Sequence, residues 1–468
     1  MPVSPARAAA FDILLRVETT DAYASELLHS SRVAKLSPAD HGLATEIVMG
    51  VLRWRSVLDE QIAARVSQRP SAAKAAANSA TLPARLEAML SRKDPLSKLD
   101  AEVITALRIG TYQLLFLDRI PAHAAINESV ELVKKARKRS AAGMVNAVLR
   151  KIHPISPTLS SRAGQSPAAR NGGALETHPG WLVQRWEQAY GMETVQAICA
   201  YDQSAPDTVI RADRELVEEL ANEEVGIEPG RLLKQAYTVV RGDLTRTRAF
   251  REKQLVIQDE GSQLIALLLG HGQRILDCCA APGGKTRIIA EQNPDSTVIA
   301  MELHPYRAAL MRRLVPVPNV HVIAADVRTM PFADQSDRIL VDAPCTGTGT
   351  LARNPEIKWR LTPDDVSRIK VYQIEILSAA MKQLAPGGQL LYSTCSLEAE
   401  ENDAVVDRAL QGDSGFRLLD IRDRLTKIRN EGALICDPDS LIRGPYLRTI
   451  PGVHPCDGFF AALLQREL

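Results

Sequence analysis

The sequence predicts a multidomain chain: an N-terminal all-α bundle, a small α+β module and a C-terminal α/β domain of Rossmann-like type. Three observations predict it. Apolar residues recur at helical spacing from the N-terminus to Lys151. A Ser/Ala/Gly/Pro-rich stretch, Pro154 to Glu176, then breaks the pattern and reads as a linker. From about Phe250 onward, short apolar runs alternate with helical segments, which marks a mostly parallel, doubly wound sheet. At 468 residues the chain is too long for one ordinary core. The expected divisions are 1–153 for the bundle, 154–176 for the linker, 177–249 for the module and 250–468 for the α/β domain.

Each element has a local reason. Ala6 to Val17 places Phe11, Leu14 and Leu15 on one helical face. Ser37-Pro38-Ala39-Asp40 is a helix start, with serine as cap and proline at the first position. An apolar-periodic run follows to Leu58. Ser67 to Ala84, rich in alanine, serine and proline, reads as a mobile insertion. Asp100 to Leu117 and Ile126 to Ala136 resume helical patterning. Lys134, Lys135, Arg137, Lys138, Arg139, Arg150 and Lys151 form a basic run that contains no acidic residue. With the apolar stripe Met144, Val145, Val148 and Leu149 it predicts one basic helical face, a surface that can hold phosphates. Pro179-Gly180-Trp181-Leu182 opens a helix to Tyr190, and Thr208–Arg211 and Tyr237–Val240 are strands. The α/β domain supplies strands at Arg274–Leu276, Thr297–Ala300, Val320–Ile323, Arg338–Val341 and Gln389–Tyr392.

Composition narrows the class. Apolar content is 45% and charged content 24%, which fits a soluble globular protein. Charge is nearly balanced, 57 basic against 56 acidic residues, so total charge argues for no nucleic-acid partner. No apolar run is long enough to span a bilayer, and the N-terminus lacks a signal-peptide pattern. Seven unevenly spaced cysteines make no disulfide framework, and without a CxxC pair no structural metal is expected. A reducing cytoplasm fits. No heptad argues for more than a monomer.

The turn Asp277-Cys278-Cys279-Ala280-Ala281-Pro282-Gly283-Gly284-Lys285-Thr286 follows a strand and opens a helix, which suits a nucleotide-like ligand. It lacks the GxGxxG of a dinucleotide fingerprint. A P-loop would need a glycine where Cys279 stands. Glu302 follows the next strand and Asp326 the one after. A carboxylate after the second strand can accept from ribose hydroxyls, and one after the third from an adenine amino group. Together these features describe a site for S-adenosylmethionine.

Two thiols stand at strand ends, in Asp342-Ala343-Pro344-Cys345 and Ser393-Thr394-Cys395. Most free cysteines are small buried hydrophobes, and Cys199, Cys436, Cys278 and Cys279 read that way. The loop Thr346-Gly347-Thr348-Gly349 after Cys345 has too little side chain to be core. Cytosine C5 becomes nucleophilic only after a thiolate adds to C6, and the C5 proton must then be removed. Cys345, Cys395 and Asp342 suit that chemistry. The two cysteines are 50 residues apart, so only the fold can bring them together.

On these residues the chain resembles the Sun/RsmB family of bacterial ribosomal RNA cytosine-5 methyltransferases. The matching segments are Asp277 to Thr286, Asp342 to Gly349, Tyr392 to Ser396 with Glu400-Glu401-Asn402, and Arg448-Thr449, His454 and Asp457-Gly458-Phe459-Phe460. The N-terminal part, with Arg108 to Leu114, Pro121 to Glu128 and Asn146 to Arg150, resembles a NusB-type helical RNA-binding domain. The resemblance implies a methyltransferase acting on 16S ribosomal RNA, free or partly assembled, with S-adenosylmethionine as cofactor. It implies Cys395 as nucleophile and Cys345 in proton removal and release. The residues alone leave that order open, because DNA cytosine enzymes use the Pro-Cys thiol. Lys285 and Asp342 would contact the cytosine. Cys279, Ala280, Ala281, Pro282, Gly283, Gly284, Lys285, Glu302, Arg307, Asp326 and Asp342 would hold the cofactor. Where the family has Arg-x-Asn, this chain has Arg211-Ala212-Asp213, which puts RNA contact at Asp213 in doubt. Two other readings stand beside this one: a non-catalytic RNA-binding assembly factor, and a methyltransferase for transfer RNA.

Overall fold

The computed structural model describes residues 3–66, 96–152, 175–330 and 335–468. The insertion read at Ser67 to Ala84, and all but the end of the linker read at Pro154 to Glu176, lie outside the described residues. The chain forms two compact units. One comprises Met1–Ala205 with Leu351–Arg360, the other Pro206–Thr350 with Leu361–Leu468.

The first unit is helical, as the apolar periodicity predicts. Its first helix is Pro5–Thr19. Ser37 caps the helix Pro38–Arg53 by accepting from the Asp40 amide at 3.1 Å. The run expected to continue to Leu58 breaks at Trp54, and a new helix runs Arg55–Val66. Trp54 is buried against Phe116, with ring centroids 4.9 Å apart. Helices Ala101–Phe116, Ala122–Lys135 and Ala142–Leu149 complete the bundle around Leu107, Ile109, Leu132 and Leu149. The basic run is not one helical face. Lys134 and Lys135 end one helix, Arg137 turns the chain at a φ of 64°, and Arg150 and Lys151 follow the next helix. Lys138 is engaged by Asp100 at 3.1 Å. The run therefore spreads around a helix–turn–helix corner.

Helices Gly180–Tyr190 and Met192–Asp202 also belong to this unit. So does the segment 351–360, which on both sides continues in sequence into the other unit. Its ties are polar: Trp359 Nε1 donates to Leu52 O at 2.7 Å, Arg360 donates to Val17 O and Ala22 O, and Glu356 accepts from the Ala24 amide at 2.7 Å. Lys358 is fully buried with Asp202 and His178. Burial pushes the Lys358 ammonium down and the Asp202 carboxyl up, and their opposite charges counter both shifts.

The second unit holds two sheets. Strands β1 (Val209–Arg211), β2 (Gly226–Pro229), β3 (Ala236–Arg241) and β4 (Val256–Ile257) form an antiparallel sheet in the order β2-β3-β1-β4. Asp213, in the doubtful position, caps the helix Arg214–Asn222 by accepting from the Leu216 amide at 2.9 Å. The larger sheet contains β5 (Arg274–Asp277), β6 (Thr297–Glu302), β7 (Val320–Ala324), β8 (Ser336–Asp342), β9 (Leu384–Thr394), β10 (Phe416–Leu419), β11 (Ile442–Arg443), β12 (Tyr446–Arg448) and β13 (Phe460–Arg466). Its order is β11-β12-β13-β9-β8-β5-β6-β7, with β10 on β13. β5 to β9 are parallel to one another, and β13 is antiparallel to β9.

Side chains alternate across this sheet, as period-two geometry demands. Ile275, Leu340, Leu391 and Leu463 face one core with Leu264, Ile288 and Leu425. Leu276, Ile339, Val341, Leu390 and Tyr392 face the other with Ile376, Leu377 and Val406. Both faces are covered, which is why these strands read as continuous apolar runs. The strand order reverses between β5 and β8, and such a switch point opens a crevice at the carboxyl ends of the strands.

One substitution separates packing from propensity in the helical unit. A Cβ on Gly50 would lie 1.9 Å from the Tyr112 ring, which Glu46 holds through a 2.6 Å hydrogen bond. Alanine gains about 1 kcal/mol of helix propensity, but overpacking costs about 1–3 kcal/mol or more. Gly50→Ala is expected to lower stability, read as a decreased denaturation midpoint; an increase would show that the ring yields freely.

Candidate active site

The site is built on the register of β8 and β9. Val341 lies opposite Tyr392 and Asp342 opposite Ser393, so both strands end at the same level. The Ser393 hydroxyl donates to Asp342 Oδ1 at 2.8 Å, and Lys285 Nζ donates to Oδ2 at 2.7 Å. Lys285 stands in the first turn of the helix Gly284–Gln292 that follows the cofactor turn. Burial by itself would lower the Lys285 pKa; the Asp342 carboxylate outweighs it, and the net shift is upward. The ammonium also lies 5.4 Å from the centroid of the Phe459 ring, a cation–π distance.

Beyond the strand ends the two thiols meet. Cys345 Sγ and Cys395 Sγ are 3.3 Å apart. The hydrogen bond to Cys395, then burial, push the Cys345 thiol well above its ordinary pKa. The loop after Cys345 returns beneath Cys395: the Gly349 amide donates to Cys395 O at 2.9 Å, and the Gly458 amide donates to Gly349 O at 2.8 Å. A Cβ on Gly349 would sit 2.3 Å from Gly458 O and 2.9 Å from Cys395 O. Both are backbone atoms of neighbouring strand ends, so neither can move aside.

A cavity of about 310 Å³ opens beside Asp342, within the size range of small-molecule sites. Cys279, Ala281, Glu302, Arg307, Asp326 and Asp342, all read from sequence as cofactor-binding candidates, line it. A second cavity of about 140 Å³ is lined by Ala280, Pro282, Gly284 and Lys285, and shares Cys279, Ala281 and Asp342 with the first. Gly283 lines neither. It turns the chain at a φ of 109°, a conformation that favours glycine, and a Cβ there would meet Val315 at 2.4 Å.

The acids sit in different surroundings. Asp277 is buried at the end of β5 and accepts from the Thr286 hydroxyl at 2.6 Å; burial pushes its carboxyl up to about 7. Glu302 accepts from the His304 amide at 2.9 Å, with Arg307 3.9 Å away. Asp326 pairs with Arg328 at 2.7 Å, which holds its carboxyl below the usual range. Arg328 in turn lies 4.9 Å over the Tyr372 ring. Glu302, Asp326, Tyr372 and the apolar Leu303, Val327 and Ile376 suit a ribose and a flat heterocycle.

The fold thus brings together all four residues read as catalytic. Three contributors were not assigned a role from sequence. Ser393 orients Asp342, Gly349 permits the loop crossing, and Tyr372 walls the cavity. Ser393 and Gly349 stand inside the quoted motifs, but their partners lie far away in sequence. Tyr372 sits in the helix Pro363–Lys382, which carries no motif.

Comparison with known proteins identifies the family and the fold. Residues 264–465 match the family described as 16S rRNA methyltransferase RsmB/F. Residues 4–82 and 72–154 match the NusB family, and 178–242 match the RsmF/B-like ferredoxin-like domain. The chain is 32% identical over 486 residues to the probable ribosomal RNA small subunit methyltransferase B of Bacillus subtilis, covering 100% of both chains. The chain belongs to this family of 16S ribosomal RNA methyltransferases. The ribosomal RNA small subunit methyltransferase B of Vibrio cholerae is 31% identical over 98% of this chain and 97% of its own. Among solved structures, that of PH0851 aligns with a TM-score of 0.74 at 21% identity, covering 99% of this chain and 100% of its own. NSun6 from Pyrococcus horikoshii, solved with SFG, aligns with a TM-score of 0.52 at 21% identity, covering 61% and 97%. At that identity the structural matches speak for the fold.

The Gly349 crossing is open to test. Gly349→Ala is expected to reduce methyl transfer by at least 100-fold while circular dichroism stays that of the parent. Full activity would mean that the loop beneath Cys395 is free to shift.

Proposed function

We propose that this chain transfers a methyl group from S-adenosylmethionine to C5 of a cytosine in 16S ribosomal RNA, through a covalent bond between Cys395 and C6. The observation that carries this reading is the 3.3 Å approach of the two thiols beside the Lys285–Asp342 pair. Amino-group transfer has no use for paired thiols, whereas carbon methylation of a pyrimidine needs a nucleophile and a proton acceptor.

The cofactor would lie against the Cys279–Gly284 turn with Glu302, Arg307 and Asp326 along its nucleoside and Asp342 at its methionine end. Bound there, it supplies an electrophilic methyl group. Lys285 and Asp342 hold the cytosine by hydrogen bonds. The Cys395 thiolate adds to C6, which makes C5 nucleophilic. With Cys395 engaged as a thioether, Cys345 loses the hydrogen bond to Cys395 that raises its pKa. Once that proton has passed to solvent, Cys345 takes the C5 proton, the C6–sulfur bond breaks, and Cys395 leaves as a thiolate.

We place this activity in a cytoplasmic monomer and keep the divisions at 153, 176 and 249. The family matches over the NusB-like and ferredoxin-like regions support the two N-terminal parts as the RNA-binding ones. The reading of a non-catalytic assembly factor is disfavoured because a scaffold needs neither the paired thiols nor the acids of the cavity.

Two variants test the mechanism with labelled S-adenosylmethionine and unmodified small-subunit RNA. Cys395→Ala is expected to lower the yield of 5-methylcytidine by at least 1,000-fold, on the order of 4 kcal/mol in transition-state free energy. Turnover near that of the parent sinks the nucleophile assignment. Cys345→Ala is expected to accumulate an RNA–protein adduct stable on a denaturing gel, because addition survives and release fails. If the adduct forms only when Cys345 is present, the two roles are reversed.

A further inference from the structure

We propose that Glu401 is a positioning residue whose carboxylate holds the Cys345 and Cys395 loops together and so sets the distance between the two thiols. This rests on the proposed use of both thiols in one reaction.

Glu401 is fully buried and ends the short helix Ala399–Glu401. Its carboxylate reaches the residue after each cysteine. Oε2 accepts from the Thr346 amide at 2.8 Å, and Oε1 accepts from the Thr346 hydroxyl and from the Ser396 hydroxyl, the latter at 2.7 Å. A fourth donor is Gln373 Nε2, 3.1 Å from Oε2 and 2.9 Å from Pro344 O. Four donors saturate an ionised carboxylate, which is an acceptor only. One carboxylate thereby links the loops of two parallel strands and the helix Pro363–Lys382.

The rest of the Glu401 residue is anchored independently. The Tyr392 hydroxyl donates to Glu401 O at 2.6 Å. Asn402 accepts from the Thr394 hydroxyl and donates to Ser396 O at 2.9 Å. The carboxylate thus hangs from β9 itself and transmits the position of that strand to the Cys345 loop. No atom of Glu401 is needed in any bond-making step. Its effect is geometric, and a reaction in which two thiols act on adjacent carbons of one cytosine is sensitive to their separation.

Leucine is of similar volume and accepts no hydrogen bond. All four donors lose their acceptor in Glu401→Leu, and the loops are released from each other. The direct readout is the rate at which diamide, a thiol-oxidising azo compound, joins Cys345 and Cys395. Two thiols lose two protons and two electrons, the azo bond is reduced to a hydrazine, and the linked peptide is identified by mass spectrometry. The rate in Glu401→Leu is expected to fall at least 10-fold. The turnover number for methyl transfer is expected to fall about 100-fold with the KM for S-adenosylmethionine within twofold of the parent.

An unchanged oxidation rate overturns the proposal, as does a loss expressed in KM alone. Should Glu401→Leu fail to fold, Thr346→Val with Ser396→Ala removes two donors while keeping the carboxylate, and the same slowing is expected. Rapid linkage in the parent without methyl transfer to small-subunit RNA would leave the positioning role standing and refute the proposed function instead.

Discussion

The parallel pairing of β8 with β9 is the constraint on which the rest of the site depends. It sets Asp342 opposite Ser393 and brings two cysteines, distant in sequence, out at one edge. A one-residue slip would turn every side chain on one strand to the opposite face. The Ser393–Asp342 bond would be lost, and Leu391 and Tyr392 would exchange cores. Because both faces of the sheet are buried, that slip carries the cost of two disrupted cores. Apolar packing on either side therefore enforces a polar alignment at the strand ends.

Given that alignment, the site is specified by polar groups in restricted solvent. Burial lowers the Lys285 pKa, the Asp342 carboxylate raises it by more, and Asp342 is turned by Ser393 toward the shared edge. Such groups are worth retaining only when all are satisfied, since an unpaired one costs more than an apolar replacement. Glycine serves the same end by subtraction. Gly349 lets two backbone segments cross where no side chain fits, and Gly283 lets the cofactor turn pass beneath Val315.

The helical unit follows a different logic. Its core is a conventional apolar bundle, yet it encloses the segment 351–360, which is flanked in sequence by the catalytic unit. That segment follows directly upon the Cys345–Thr350 loop. Its anchors are a tryptophan, an arginine and a glutamate bonded to backbone atoms, plus a buried lysine. Backbone partners make this attachment insensitive to the identity of the neighbouring side chains.

The sequence by itself determined the class of each region and singled out the candidate residues of the centre. Helical periodicity, cap residues and βα alternation are local signals, and they emerged at nearly the expected positions. The cofactor turn, the acids Glu302 and Asp326, and both thiols were legible because each sits in a short motif at a strand end. Tertiary structure decided what lies between motifs. One helix ends at Trp54, whose ring is buried against Phe116, and the basic run bends around a corner at the Arg137 turn. The separation of the thiols, and the partners of Ser393, Gly349 and Glu401, depend on strand order and register. Those are set by the simultaneous burial of two sheet faces, a condition that no local stretch of sequence contains.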